Sequence, residues 1–159
     1  MIDLTSLHSH SLFGGITERQ IEEIRTFFNE EVFNKGDFIE QEGERGDRIF
    51  FITEGEVEII KKLKFGRGYR QLLVLDEGET FGEMELIDVQ PCAASVRALK
   101  NVRTLTLTNR GLYGISKLNC KIFSILIMNL ARDISRRLRK EDEMLAEIQS
   151  GKYTEELEQ

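Results

Sequence analysis

Tryptophan is absent from this 159-residue chain, and proline occurs once, at Pro91. Only two cysteines, Cys92 and Cys120, and two histidines, His8 and His10, are present. Two cysteines make no disulfide framework, so a reducing, cytoplasmic location is expected. Two histidines within the first ten residues leave little for a catalytic zinc site, and no metal is expected. Long hydrophobic runs are also missing. The longest, such as Leu72–Leu75 and Ile125–Met128, are four residues, against roughly 18 for a membrane span. The N-terminus lacks the basic region of a secretory signal, and Ile2 stands where myristoylation requires glycine. No membrane association is expected. Lys and Arg number 22 against 28 Asp and Glu, a net charge of −6, opposite to that of a generic nucleic-acid binder. The 40% hydrophobic and 31% charged residues that are present suit one folded domain with a long helix.

Eight of the 13 glycines lie between Gly36 and Gly82. They punctuate short runs of strand character: Ile49–Thr53, Glu56–Lys61 and Gln71–Leu75. Ser95–Leu99 and the alternating Thr104–Thr108 add two more strands, the last with one apolar and one polar face. Glycine-punctuated short strands predict an all-β roll. The ends differ. Thr17-Glu18-Arg19-Gln20 is a capping box, and Ile21, Ile24 and Phe28 follow at helical spacing, which predicts a helix over Thr17–Phe28. Phe123, Ile127, Leu130, Ile134 and Leu138 repeat the helical period, and Leu145 and Ile148 continue it. A helix over Lys121–Gln149 would be about 45 Å long.

The predicted layout is therefore mainly β with flanking helices. Residues 1–16 form an N-terminal segment, and residues 17–149 form the domain. Within it a β-roll, or jelly roll, covers about 30–108 and the C-terminal helix about 121–149. Residues 150–159 form a polar tail.

Phe81-Gly82-Glu83-Met84-Glu85-Leu86-Ile87, followed by Pro91-Cys92-Ala93-Ala94-Ser95-Val96, resembles the phosphate-binding cassette of cyclic-nucleotide-binding domains. The family is that of the catabolite activator and the protein kinase A regulatory subunit. Lys35-Gly36-Asp37, Gln41-Glu42-Gly43, Gly46-Asp47 and Gly55 match the glycine turns of its double-stranded β-helix in order. The resemblance covers roughly Leu12 to Met144.

It implies a pocket contacting Gly82, Glu83, Met84, Ala93 and Ala94, with Leu72 and Val74 on its wall. Gly82 lets the backbone approach a sugar-phosphate. Glu83 resembles the acceptor for the ribose 2′-hydroxyl, and a backbone amide near Ala93 resembles a phosphate donor. Ala93 carries no hydroxyl where cyclic-GMP-selective relatives often have threonine, so cyclic AMP is favoured over cyclic GMP. Two positions depart from the pattern. Cys92 replaces the arginine that pairs with the cyclic phosphate, and Glu85 replaces a small residue. Both disfavour an anion. In relatives the turn near Arg136–Lys140 lies over the base, which makes Arg137 a candidate ligand contact.

Plainer readings stand beside these. Glu83 also suits a helix start, where the dipole favours an acid. Cys92 reads as drift at a lost arginine site, and Cys120 as a small buried residue. Lys61–Arg70 reads as a solvated hairpin turning at Gly66–Gly68. Arg132, Arg136, Arg137, Arg139 and Lys140 read for the most part as the wet face of a helix.

Three functions compete. The first is a non-catalytic regulatory module that senses a cyclic nucleotide and moves its C-terminal helix against a protein effector. The second is a degenerate fold without a small ligand, serving as a dimeric or partner-binding scaffold. The third, a cupin-like enzyme, is disfavoured because no histidine lies between Asp37 and Thr108. Ten residues after Gln149 are too few for a helix-turn-helix, so direct sequence-specific DNA binding is not expected. One β-roll covers only part of so long a helix, so a homodimer through that helix is expected, with Ile134 near its centre.

Overall fold

The computed structural model describes residues 4–157. A short helix α1 (Thr5–His8) and a 3-10 turn (Ser11–Phe13) come first, where only a segment was expected. His10 caps that turn, its Nδ1 accepting from the Leu12 amide at 3.1 Å, and its ring stands edge-on to Phe51. Thr17 forms the expected capping box with Gln20. The helix it opens, α2 (Glu18–Glu23), is shorter than Thr17–Phe28. The chain passes through a 3-10 turn (Arg25–Phe27), and Phe28 begins β1 (Phe28–Phe33). Phe28 keeps its helical spacing in sequence, but its pairing with Leu107 decides its conformation.

The strands that follow are β2 (Phe38–Glu40), β3 (Arg48–Glu54), β4 (Glu56–Lys62), β5 (Tyr69–Asp76), β6 (Thr80–Phe81), β7 (Ser95–Ala98) and β8 (Val102–Thr108). Among the described residues they form two antiparallel four-stranded sheets, ordered β1-β8-β3-β6 and β2-β7-β4-β5. Between β6 and β7 lies the helix α3 (Glu83–Asp88). After β8 come α4 (Asn109–Leu118) and α5 (Cys120–Leu157), the latter longer than predicted at both ends. This is the β-roll with flanking helices that the sequence predicts.

Two cores divide the apolar residues. Alternation on β3 sends Ile49 and Phe51 one way and Phe50 and Ile52 the other. Ile49, Phe51, Phe28, Leu105 and Leu107 pack against Phe13, Ile24, Ile115, Ile122 and Leu130 of the helical layer. Phe50, Ile52, Val57, Leu75, Phe81 and Val96 fill the roll, where Phe50 and Phe81 stack at 4.6 Å. The polar face of β8 is not wet. Thr104 and Thr106 are fully buried, and Thr106 Oγ1 donates to Glu31 Oε1 at 3.1 Å.

The first turns of α5 close the helical core through Ile122, Leu126 and Leu130. Ile134, expected near the centre of a helix pair, is half-buried against that core. Beyond it the stripe runs out of cover: Leu138, Met144, Leu145 and Ile148 are 53–56% exposed. Cys120 is exposed at the start of α5, not buried.

Candidate functional site

β6 delivers the chain into the cassette. Gly82 has φ of +80°, a left-handed conformation that glycine adopts without a steric cost. A Cβ there would also lie 2.4 Å from the Arg48 carbonyl oxygen. Both facts require glycine. α3 then buries Glu83, Glu85 and Leu86 and leaves Met84 and Ile87 exposed.

Glu83 is only 9% exposed. Its Oε1 accepts from Arg137 Nη1 of α5. Arg137 Nη2 donates to the Thr80 carbonyl oxygen at 2.9 Å and to Thr80 Oγ1 at 3.0 Å. One guanidinium thus fastens the long helix to the end of β6 and the start of α3. Glu83 Oε2 is buried without a partner. Burial pushes the Glu83 carboxyl above its ordinary range, and the Arg137 charge opposes the shift.

Glu85 points to the other arm of the cassette. Its Oε1 accepts from the Ala93 amide at 3.3 Å. Its stem packs on Gly46, where a Cβ would lie 2.8 Å from Glu85 Cβ and Cγ and 3.1 Å from Cys92 Sγ. The Cys92 amide donates to the Glu44 carbonyl oxygen at 2.8 Å, and the Gly43 amide donates to the Cys92 carbonyl oxygen at 2.9 Å. Gly46, Glu85 and Cys92 therefore form one tight knot. The buried Cys92 thiol is pushed up to about 11 by burial and by the Glu40 and Glu85 charges.

Glu40, at the end of β2, is a third carboxyl that sequence reasoning missed. Its Oε1 lies 3.4 Å from where a Gly82 Cβ would stand. Burial, then the Glu85 and Glu83 charges, push it up to about 8. A cavity of about 230 Å³ opens beside it, lined by Glu40, Gly46, Arg48, Phe50 and Cys92 among others. Arg48 is already engaged, donating to Glu31 at 2.7 Å and Asp47 at 2.9 Å. Thr80 was missed too. Neither residue carries a sequence signal, because both are brought in by strand pairing.

Gly82, Glu83, Glu85, Cys92, Ala93 and Arg137 gather in this region, and Ala94 lies half-buried next to the Ala93 amide. Met84 is exposed on α3. The two wall residues are placed differently from expectation. Val74 lies opposite Glu58, which also pairs with Arg97, and opposed residues share a face. That face is the outer one, since Val57, Ile59, Val96 and Ala98 point inward. Leu72 sits where the β4–β5 register shifts and is 54% exposed. On the outer face Glu58 is buried under Arg97, at 2.5 Å, and Gln71, at 2.7 Å. Among the described residues, no group of three or more His, Cys, Asp or Glu is arranged to hold a metal ion. No described helix is long and apolar enough to cross a membrane.

A glycine held against a neighbouring backbone, a buried acid at the start of α3 and a small-residue arm facing it are the parts of a ligand cassette. The family profile described as the cyclic nucleotide-binding domain matches residues 30–118, from β1 through α4.

The chain belongs to the cyclic nucleotide-binding domain family.

Similar proteins include the cyclic AMP receptor protein of Thermus thermophilus, 27% identical over 131 residues. That alignment covers 82% of this chain and 58% of the receptor. The cGMP-dependent protein kinase egl-4 of Caenorhabditis briggsae is 30% identical over 98 residues, covering 61% of this chain and 13% of the kinase. The crystal structure of the Thermus thermophilus catabolite activator protein superposes with a TM-score of 0.75 at 27% identity, over 85% of this chain and 61% of that one. This cyclic nucleotide-binding domain thus spans little more than half of the receptor protein and about an eighth of the kinase.

Proposed function

We propose that this cyclic nucleotide-binding domain is a non-catalytic regulatory sensor that takes a nucleotide-like ligand in the roll and reports occupancy through α5 to a protein effector. The observation that carries this reading is the Glu83–Arg137 pair. It joins the acid at the start of α3, which this reading assigns to the sugar, directly to the long helix. A ligand hydroxyl donating to Glu83 shares the carboxylate with Arg137 and weakens that pair. Occupancy then changes the hold on α5, which is the differential affinity that a sensor needs. An adenine base is favoured over guanine because Ala93 offers no hydroxyl. The site is cytoplasmic and works without a metal or sequence-specific DNA contact of its own. The partner for the uncovered end of α5 is a second copy, docked over Leu138, Met144, Leu145 and Ile148, each about half exposed and so regaining about 1 kcal/mol when buried.

Thermal unfolding with cyclic AMP, cyclic GMP, adenosine and guanosine at millimolar concentration tests the sensor, because a bound ligand raises the midpoint by mass action. Light scattering at high micromolar concentration tests the pairing. The dimer mass should fall to the monomer in Leu145→Asp.

The second reading, a scaffold without a small ligand, is favoured by Cys92 in place of the arginine clamp and by Glu85 on the Ala93 amide. It predicts no midpoint shift with any of the four compounds, together with an intact dimer.

A further inference from the structure

The pocket corner that a cyclic phosphate would use is occupied by a carboxylate of the chain itself. Glu85 Oε1 accepts from the Ala93 amide at 3.3 Å, so the donor available for an incoming anion is already spent. The fit is structural and not accidental. Gly46 leaves no room for a Cβ against the Glu85 stem, which fixes where that side chain runs. Cys92, the neighbour across the same glycine, brings a buried neutral thiol.

The charges around the corner point the same way. Glu31, Glu40, Glu44 and Asp47 line the adjoining cavity with Arg45 and Arg48. Arg48 is paired to Glu31 and Asp47, and Arg45 is solvent-exposed at the rim. Arg137 is paired to Glu83. Among the described residues no buried cation is left over for a phosphate, and Arg45, the one lining cation without an ion pair, stands exposed at the rim. A hydrogen-bond acceptor is left over instead: Glu83 Oε2, buried within a residue that is more than nine-tenths buried, has no partner. A site with a free buried acceptor and no free buried cation favours hydroxyl or amine donors over an anion.

We infer that this site selects a ligand that is uncharged where a cyclic nucleotide carries its phosphate, a nucleoside-type polyol in preference to its cyclic phosphate ester. The inference rests on the sensor reading above and specifies its ligand class. Ligand hydroxyls donate to Glu83 Oε2 and to the Glu85 carboxylate. The phosphate is rejected because it would have to displace Glu85 from Ala93 and then lie beside it.

The experiment compares two pairs that differ only in the cyclic phosphate, adenosine with cyclic AMP and guanosine with cyclic GMP, so that the base cancels. Calorimetric titration of the full chain should give at least about tenfold tighter binding of the nucleoside in whichever pair binds, from like-charge repulsion at the corner. In Glu85→Ala/Cys92→Arg the order should reverse, with cyclic phosphate affinity raised about 100-fold by charge-assisted bonds regained. Circular dichroism and an unchanged unfolding midpoint verify that the variant folds. Glu85→Gln, which keeps the volume and removes the charge, should narrow the difference without reversing it. Cyclic AMP or cyclic GMP binding the wild type as tightly as its nucleoside overturns this inference and leaves the sensor reading standing. No binding by any of the four compounds overturns the sensor reading itself, and the inference with it.

Discussion

The Arg137 guanidinium closes on the Glu83 carboxylate from 54 positions further along the chain. It is the one ion pair found between α5 and the cassette helix among the described residues. Glu83 is deeply buried while Arg137 is about two-fifths exposed, so solvent screens the arginine more than the acid. Arg137→Gln strands a buried carboxylate whose second oxygen already lacks a partner. The expected loss is about 1–3 kcal/mol, the cost of an unsatisfied buried group. Adding Glu83→Gln should recover most of it, and urea unfolding of the two singles and the double closes that cycle.

Glu40 makes stability depend on pH in an unusual direction. Its carboxyl is raised from 4.5 to about 8 in the fold by burial and by Glu85 and Glu83. Between those values the folded chain holds a proton that the unfolded chain releases. Stability from this group is therefore full below pH 4.5 and falls as pH rises towards 8, each unit costing up to about 1.4 kcal/mol. Glu40→Gln should remove that slope and raise the melting temperature at pH 8 above that of the wild type, read by calorimetry from pH 5 to 9.

The two thiols should separate cleanly in a labelling experiment. Cys120 is exposed at the start of α5, while Cys92 is buried and raised to about 11 by burial and nearby carboxylates. Only the thiolate reacts. Iodoacetamide at pH 8 should modify Cys120 alone in the native protein and both residues in denaturant, as mapped by peptide mass spectrometry.

Val89, just past the end of α3, holds φ of +57°, a conformation that costs a side-chain-bearing residue about 1–2 kcal/mol. Its side chain is about half exposed, so little packing is at stake. Val89→Gly should stabilise the protein by about 1 kcal/mol, measured as a rise in the urea midpoint at unchanged slope.

The strands were legible because glycine turns bracket period-two runs, and that pattern survives without tertiary information. The cassette was legible because Phe81-Gly82-Glu83 and Pro91–Ala94 are local. Less visible features depended on distant partners. α4 escaped notice because Gly111 and Gly114 weaken its helical pattern. Gly114 is there because the Phe27 ring would lie 2.3 Å from its Cβ. Phe28 reads as helical until Leu107 pairs with it. Thr104 and Thr106 read only as the polar face of a strand until their hydroxyls meet Glu31 of β1. The resemblance alone puts Val74 on the wall, and its pairing opposite Glu58 is what turns it to the outer face. Glu40 gave no signal, since an acid beside a turn is ordinary until burial surrounds it with two more.

α5 runs as one helix for 38 residues, roughly 57 Å at 1.5 Å per residue. Arg137 holds it near the middle, with about 30 Å of rod beyond that point. The domain therefore has the proportions of a lever on a short fulcrum. A rotation of about 10° at Arg137 would carry the far end sideways through about 5 Å. An adjustment at Glu83 no larger than a side-chain contact would thus arrive at the tip as a sideways shift of about half the 8–10 Å spacing between packed helices.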